Sequence, residues 1–149
     1  MMNKQKLYDS VDKNAEKITA LSDAIWDFSE LSMQEYKSAA YYCDLLEQEG
    51  FQVERKLCGI PTAFSGSFGS GKPRIGILGE FDALSGLSQC PGSTKRESLN
   101  PGGNGQGCGH NLLGAAAFGA ALAVKKAIEA GLLHGTVVFY GCPGEEGCA

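Results

Sequence analysis

Apolar residues at Leu7, Val11, Ile18, Leu21, Ile25 and Phe28 are spaced by three, four or seven, laying one stripe along a helix. One long amphipathic helix is predicted there. Ser32 and Glu35 have capping-box spacing, so a second helix is expected over residues 35–49, closed by Gly50. From Phe51 the period falls to two, with Phe51, Val53 and Leu57 alternating against Gln52, Glu54 and Lys56, as in a strand with one buried face. Residues 62–68 are expected to pair with it. Residues 69–73 read as a hairpin turn, and residues 74–81 are dense enough in apolar side chains to predict a central strand covered on both faces. Residues 84–109 are rich in Gly, Ser, Pro and Asn and lack any period, which marks a functional loop. An Ala- and Leu-rich helix over 112–133 and a β-branched, aromatic strand over 136–140 complete a βαβ unit with parallel strands. The expected class is α/β, a mostly parallel sheet flanked by helices.

Composition narrows the function. The 149 residues carry 13 basic and 17 acidic side chains, a net charge of −4, and no basic run, so no footprint for nucleic acid or anionic lipid is present. The uncharged stretch 111–124 is too short for the roughly 20 apolar residues of a membrane span and reads as a buried helix. The 21 glycines are roughly twice ordinary usage and point to tight turns or backbone close to a ligand. Six cysteines, Cys43, Cys58, Cys90, Cys108, Cys142 and Cys148, form no C-x-x-C pair, and no signal-like segment opens the chain. They are expected to be reduced, in the cytoplasm.

In open α/β sheets ligands bind beyond the carboxyl ends of the strands. Glu80 and Asp82 follow one strand, Cys108 and His110 bracket a glycine at a helix start, and Glu145 and Glu146 follow the next strand. Thiol, imidazole and carboxylates are the donors that hold zinc or a similar divalent ion. For His110 a metal role is favoured over an incidental place in a tight loop, whereas His134, at a helix–strand junction, reads as a surface residue. Adjacent glutamates in a turn point different ways, so one can ligate while its neighbour carries a proton from water to a leaving amine. Asp82 and Glu80 could orient a ligand from behind. A thiol–imidazole catalytic pair at Cys108 and His110 ranks lower, because i, i+2 spacing makes direct contact hard. The run Gly66 to Lys72 imitates a phosphate loop, but Pro73 stands where Ser or Thr is needed and a strand follows. Trp26, Phe28, Tyr36, Tyr41 and Tyr42 read as packing residues.

Four blocks, residues 21–26, Gly79-Glu80-Phe81-Asp82-Ala83-Leu84, Gly107-Cys108-Gly109-His110-Asn111 and Pro143-Gly144-Glu145-Glu146-Gly147, together resemble the amidohydrolase branch of the aminoacylase and carboxypeptidase metallopeptidases, the M20 peptidases, and within it the aminobenzoyl-glutamate hydrolase and dipeptidase group. The resemblance implies a zinc-peptidase-like catalytic domain and a hydrolase using two divalent ions, zinc or manganese. Its substrate is an amide joining an acyl or aminoacyl group to an amino acid. It implies metal ligands at Cys108, His110 and Glu146, a general base at Glu145 and support from Asp82. Glu80 stands where many relatives carry a metal-binding histidine and is left unassigned; Ser85 replaces a frequent proline. Residues 1–149 are expected to be the N-terminal part of that domain, without its C-terminal half or the dimerisation domain, and so inactive alone; the complete protein is expected to be a homodimer. A non-catalytic fragment or interaction domain and a thiol-dependent hydrolase using Cys108 are the alternatives.

Overall fold

The computed structural model describes residues 4–147; Cys148 lies outside the described residues. The expected long helix is two, α1 (Lys4–Lys13) and α2 (Ala15–Phe28). The break falls at Asn14, whose side-chain amide donates to the Ser10 carbonyl at 2.8 Å. An asparagine that bonds the preceding turn competes with helix propagation, and the apolar stripe gives no sign of it. Burial along the stripe begins in α2, at Leu21 and Ile25.

Helix α3 (Tyr36–Gln48) ends as expected: the Phe51 N–H bonds the Leu46 carbonyl and the Gly50 N–H that of Glu47, the paired contacts of a Schellman motif. Its start departs from expectation. Glu35 makes no cap bond to its own helix and accepts instead from the Met33 and Gly144 N–H groups.

Strands β1 (Gln52–Arg55), β2 (Phe64–Ser70), β3 (Arg74–Glu80) and β4 (Gly135–Cys142) form one sheet in the order β1-β2-β4-β3. The α/β class stands, but the sheet is mixed rather than mostly parallel: β1–β2 and β2–β4 are antiparallel and only β3–β4 is parallel. Two expectations change with this order. Residues 71–73 do not close a hairpin, because β4 lies between β2 and β3. Nor is β3 central: it is an edge of the described sheet, with Ile75 56% and Leu78 61% exposed. The central, buried strand is β4.

Helix α4 (His110–Glu129) links β3 to β4 and completes the parallel βαβ unit. Its 20 residues are apolar enough by length and composition to cross a membrane, more than the shorter uncharged run implied, yet Ala115, Phe118, Ala121 and Leu122 are buried in the core. Tyr42 of α3 is the hub of that core, its ring packed on Phe64, Phe81, Phe118 and Phe139. Each such ring buried contributes about 1.5–3 kcal/mol. A side chain at Gly114 would strike the Tyr42 hydroxyl and the Glu80 carbonyl, so the missing Cβ lets α4 lie against the end of β3. That contact sets the height of His110.

Candidate metal centre

Since β3 and β4 are parallel neighbours, with Glu80 paired to Cys142, both strands deliver their following residues to the same edge of the sheet. Phe81 is fully buried in the aromatic core, which turns Glu80 and Asp82 the other way. Helix α4 starts at that edge. Gly109 at its N-cap has φ +91°, a conformation costly for any residue with a Cβ, and so lets the chain turn between Cys108 and His110.

His110 is the centre of the cluster and is only 2% exposed. Its Nδ1 lies 2.9 Å from Asp82 Oδ1 and 3.2 Å from the Asp82 carbonyl. Both neighbours are acceptors, so Asp82 holds a proton on Nδ1 and leaves Nε2 as the ring atom that a metal can take. Facing Nε2 are three carboxylates: Glu80 Oε2 at 3.3 Å, Glu145 Oε2 at 3.5 Å and Glu146 Oε1 at 3.9 Å. Ligand atoms of Cys108, His110 and Glu146 lie within 4.8 Å of one another, as do those of Glu80, His110 and Glu145. The structure thus brings together every residue that the sequence singled out for this site.

Asp82 is buried and fully used. Its Oδ2 accepts from the Ser32 hydroxyl and the Glu146 N–H, both at 2.8 Å, so one carboxylate fixes the histidine tautomer and the position of Glu146. Cys108 and Glu145 are the exposed members, the Glu145 side chain half accessible, and Glu146 is only 18% exposed. The Cys108 thiol is raised above its ordinary value first by its hydrogen bond to Glu146, then by burial and by the charges of Glu146, Glu145 and Glu80. His134 is exposed and apart, as expected. Cys43, Cys58, Cys90 and Cys142 are free, like Cys108.

Three contributors were not assigned from sequence. Glu80 reaches Nε2 from the side opposite Asp82, and its position two residues before Asp82 was the available signal. Ser32 is a lone serine before a helix. Gln106 accepts from the Asn111 N–H at 3.1 Å and donates to the Phe81 carbonyl at 3.3 Å, tying the start of α4 to the end of β3.

The donor set fits a divalent cation. Glu146 Oε1 is buried without a hydrogen-bond partner, and the His110 Nε2 faces the Glu80 and Glu145 carboxylates at 3.3 and 3.5 Å. A buried carboxylate oxygen left without a partner is costly, and a cation placed among these groups relieves it and screens the clustered carboxylates.

No protein-family model matches the chain. It is 52% identical over 139 residues to a p-aminobenzoyl-glutamate hydrolase subunit of Escherichia coli (strain K12), covering 93% of this chain and 29% of that protein. It is 30% identical over 156 residues to Xaa-Arg dipeptidase of Mus musculus, covering 96% of this chain and 32% of that protein. In structure it superposes with a TM-score of 0.73 on a dinuclear metal-binding peptidase of the M20 family from Bacillus subtilis, at 24% identity, over 88% of this chain and 36% of that one. By sequence the chain is related to aminobenzoyl-glutamate hydrolase, and by fold to the M20 peptidases. It spans about a third of the length of these relatives. They are hydrolases by name, and the one from Bacillus subtilis is described as binding two metals.

Proposed function

We propose that the chain carries a divalent-metal site of an amidohydrolase, which cleaves an amide between an acyl or aminoacyl group and an amino acid. The observation that carries this reading is the cluster of opposed donors: Cys108, the His110 Nε2 lone pair, the partnerless Glu146 Oε1 and the Glu80 and Glu145 carboxylates. Its relatedness to aminobenzoyl-glutamate hydrolase and Xaa-Arg dipeptidase supports aminobenzoyl-glutamate or a dipeptide as substrate.

Cys108, His110 and Glu146 would hold the ion. A thiolate and an imidazole favour zinc, while the carboxylates tolerate manganese. When bound, the metal supplies Lewis acidity, polarising the substrate carbonyl and lowering the pKa of water. Glu145, exposed beside the donors, takes a proton from water and passes it to the leaving nitrogen. Asp82 keeps the proton on His110 Nδ1 and holds the Glu146 backbone. For the whole protein we propose two ions, a homodimer and a cytoplasmic location, the last supported by the free thiols.

A thiol-dependent hydrolase using Cys108 is disfavoured. Nucleophilic thiols have lowered pKa values, and the carboxylates around Cys108 push its pKa upward. The test is hydrolysis of aminobenzoyl-glutamate and a dipeptide panel by the full-length encoded protein with zinc or manganese. Glu145→Gln is expected to cut turnover by about 10²–10⁴-fold with metal content unchanged. Loss of turnover and metal together would reassign the base. A full-length protein that binds metal but hydrolyses none of these amides is the non-catalytic alternative.

A further inference from the structure

The seven residues between α2 and α3 run across the back of the site. The Glu30 carbonyl accepts from the Ala83 N–H at 2.8 Å, Leu31 bridges Ala83, and the Ser29 carbonyl accepts from the Asn104 amide at 3.1 Å. Ser32 reaches Asp82. The segment ends at Glu35, a glutamate with no exposed surface. Its Oε1 accepts from the Met33 N–H at 2.9 Å and the Gly144 N–H at 2.8 Å, while its Oε2 has no partner. Burying a carboxylate with one oxygen unmatched is expensive, and a helix cap, the role its spacing suggests, is not what it does.

What it does is join residues 109 apart in the chain. Gly144 has φ +70° and immediately precedes Glu145; the Met33 side chain packs against its Cα side, where a Cβ would collide. Pro143 has no N–H to give, so Gly144 offers the first backbone donor after β4. We propose that Glu35 is a positioning residue for the Glu145–Glu146 pair: its buried Oε1, holding the Gly144 and Met33 N–H groups, fixes the turn that sets both carboxylates beside His110. This rests on the amidohydrolase reading only for what those carboxylates are used for.

The two bonds converge on one oxygen, and that gives a discriminating substitution. In Glu35→Gln the amide oxygen can take the Oε1 position and accept both N–H groups, whereas Glu35→Ala removes both bonds. In the chain, amide hydrogen exchange at Gly144 is expected to accelerate at least about 10-fold in Glu35→Ala, and cobalt affinity to fall about 10–100-fold. Glu35→Gln is expected to stay within about threefold of the parent in both. Should Glu35→Ala fail to fold, Glu35→Asp, one methylene too short to reach Gly144, takes its place with the same expected losses. Unchanged exchange and affinity beside a lowered Tm would overturn the proposal, as would a Gln variant as impaired as the Ala variant. If the parent chain takes up no cobalt, Cys108, His110 and Glu146 do not hold an ion unaided, and exchange at Gly144 alone still decides the role of Glu35.

Discussion

Replacing Asp82 by asparagine tests the electrostatic core of the site with a change of one atom. The carboxylate serves three donors: His110 Nδ1 at 2.9 Å on Oδ1, and the Ser32 hydroxyl and Glu146 N–H at 2.8 Å on Oδ2. An amide offers one oxygen, so one side must lose. With the oxygen toward Ser32 and Glu146, the NH₂ faces Nδ1, drives the histidine proton to Nε2 and removes the lone pair a metal needs. With the oxygen toward His110, the NH₂ opposes the Glu146 N–H and leaves a buried donor unpaired, at about 1–3 kcal/mol. The first arrangement disables His110 and the second frees Glu146, and both also remove a negative charge. Affinity for zinc, read by competition with a chromophoric chelator at fixed pH, is expected to fall about 10–100-fold. That is about 1.4–2.7 kcal/mol. Ser32→Ala, which removes one neutral donor and leaves the tautomer alone, is expected to stay within about threefold. An Asp82→Asn variant with parental affinity would refute the assignment of the His110 tautomer and with it the reason for His110 as a ligand.

Cys108 in the metal-free chain is held protonated by Glu146, so at neutral pH it is expected to react with iodoacetamide more slowly than the exposed Cys58, and Glu146→Gln is expected to speed it; peptide-resolved mass spectrometry reads both. Burial pushes the Cys43 thiol from 9.0 up to about 11, which favours the folded state only while the thiol is neutral. Stability is therefore expected to be full below about pH 9 and to decline as pH rises through 11, and Cys43→Ala is expected to flatten that part of a urea-denaturation pH profile. Gly114→Ala gains about 1 kcal/mol of helix propensity but places a methyl against the Tyr42 hydroxyl and the Glu80 carbonyl. Overpacking of about 1–3 kcal/mol is expected to win, lowering the urea midpoint; a stabilised variant would mean that α4 need not touch β3.

Local periodicity made much of this fold legible. Helix α3 with its Gly50 terminus, strand β4 and the long helix before it follow from patterns of three to four or of two residues, and the carboxyl-end rule then placed three chemical segments at one edge. What escaped was non-local. The insertion of β4 between β2 and β3 depends on pairing across more than sixty residues, so a β2–β3 hairpin and a central β3 were the natural expectations. The break at Asn14 is carried by one side chain while the stripe runs through it. Glu35 shows how spacing misleads: Ser32 and Glu35 have the pattern of a capping box, but Ser32 bonds Asp82 and Glu35 bonds Gly144, so tertiary partners displaced the local ones. Glu80 stayed unassigned because a lone strand-end glutamate has no meaning until His110 is beside it.

The central claim is that Cys108, His110 and Glu146 hold one divalent ion, and cobalt titration of the chain tests it most directly. Binding should release a proton from the thiol, bring up a sulfur-to-cobalt charge-transfer band in the near ultraviolet, and lose that band in Cys108→Ser. A chain that takes up no cobalt, or a Cys108→Ser variant with an unaltered spectrum, would contradict the account.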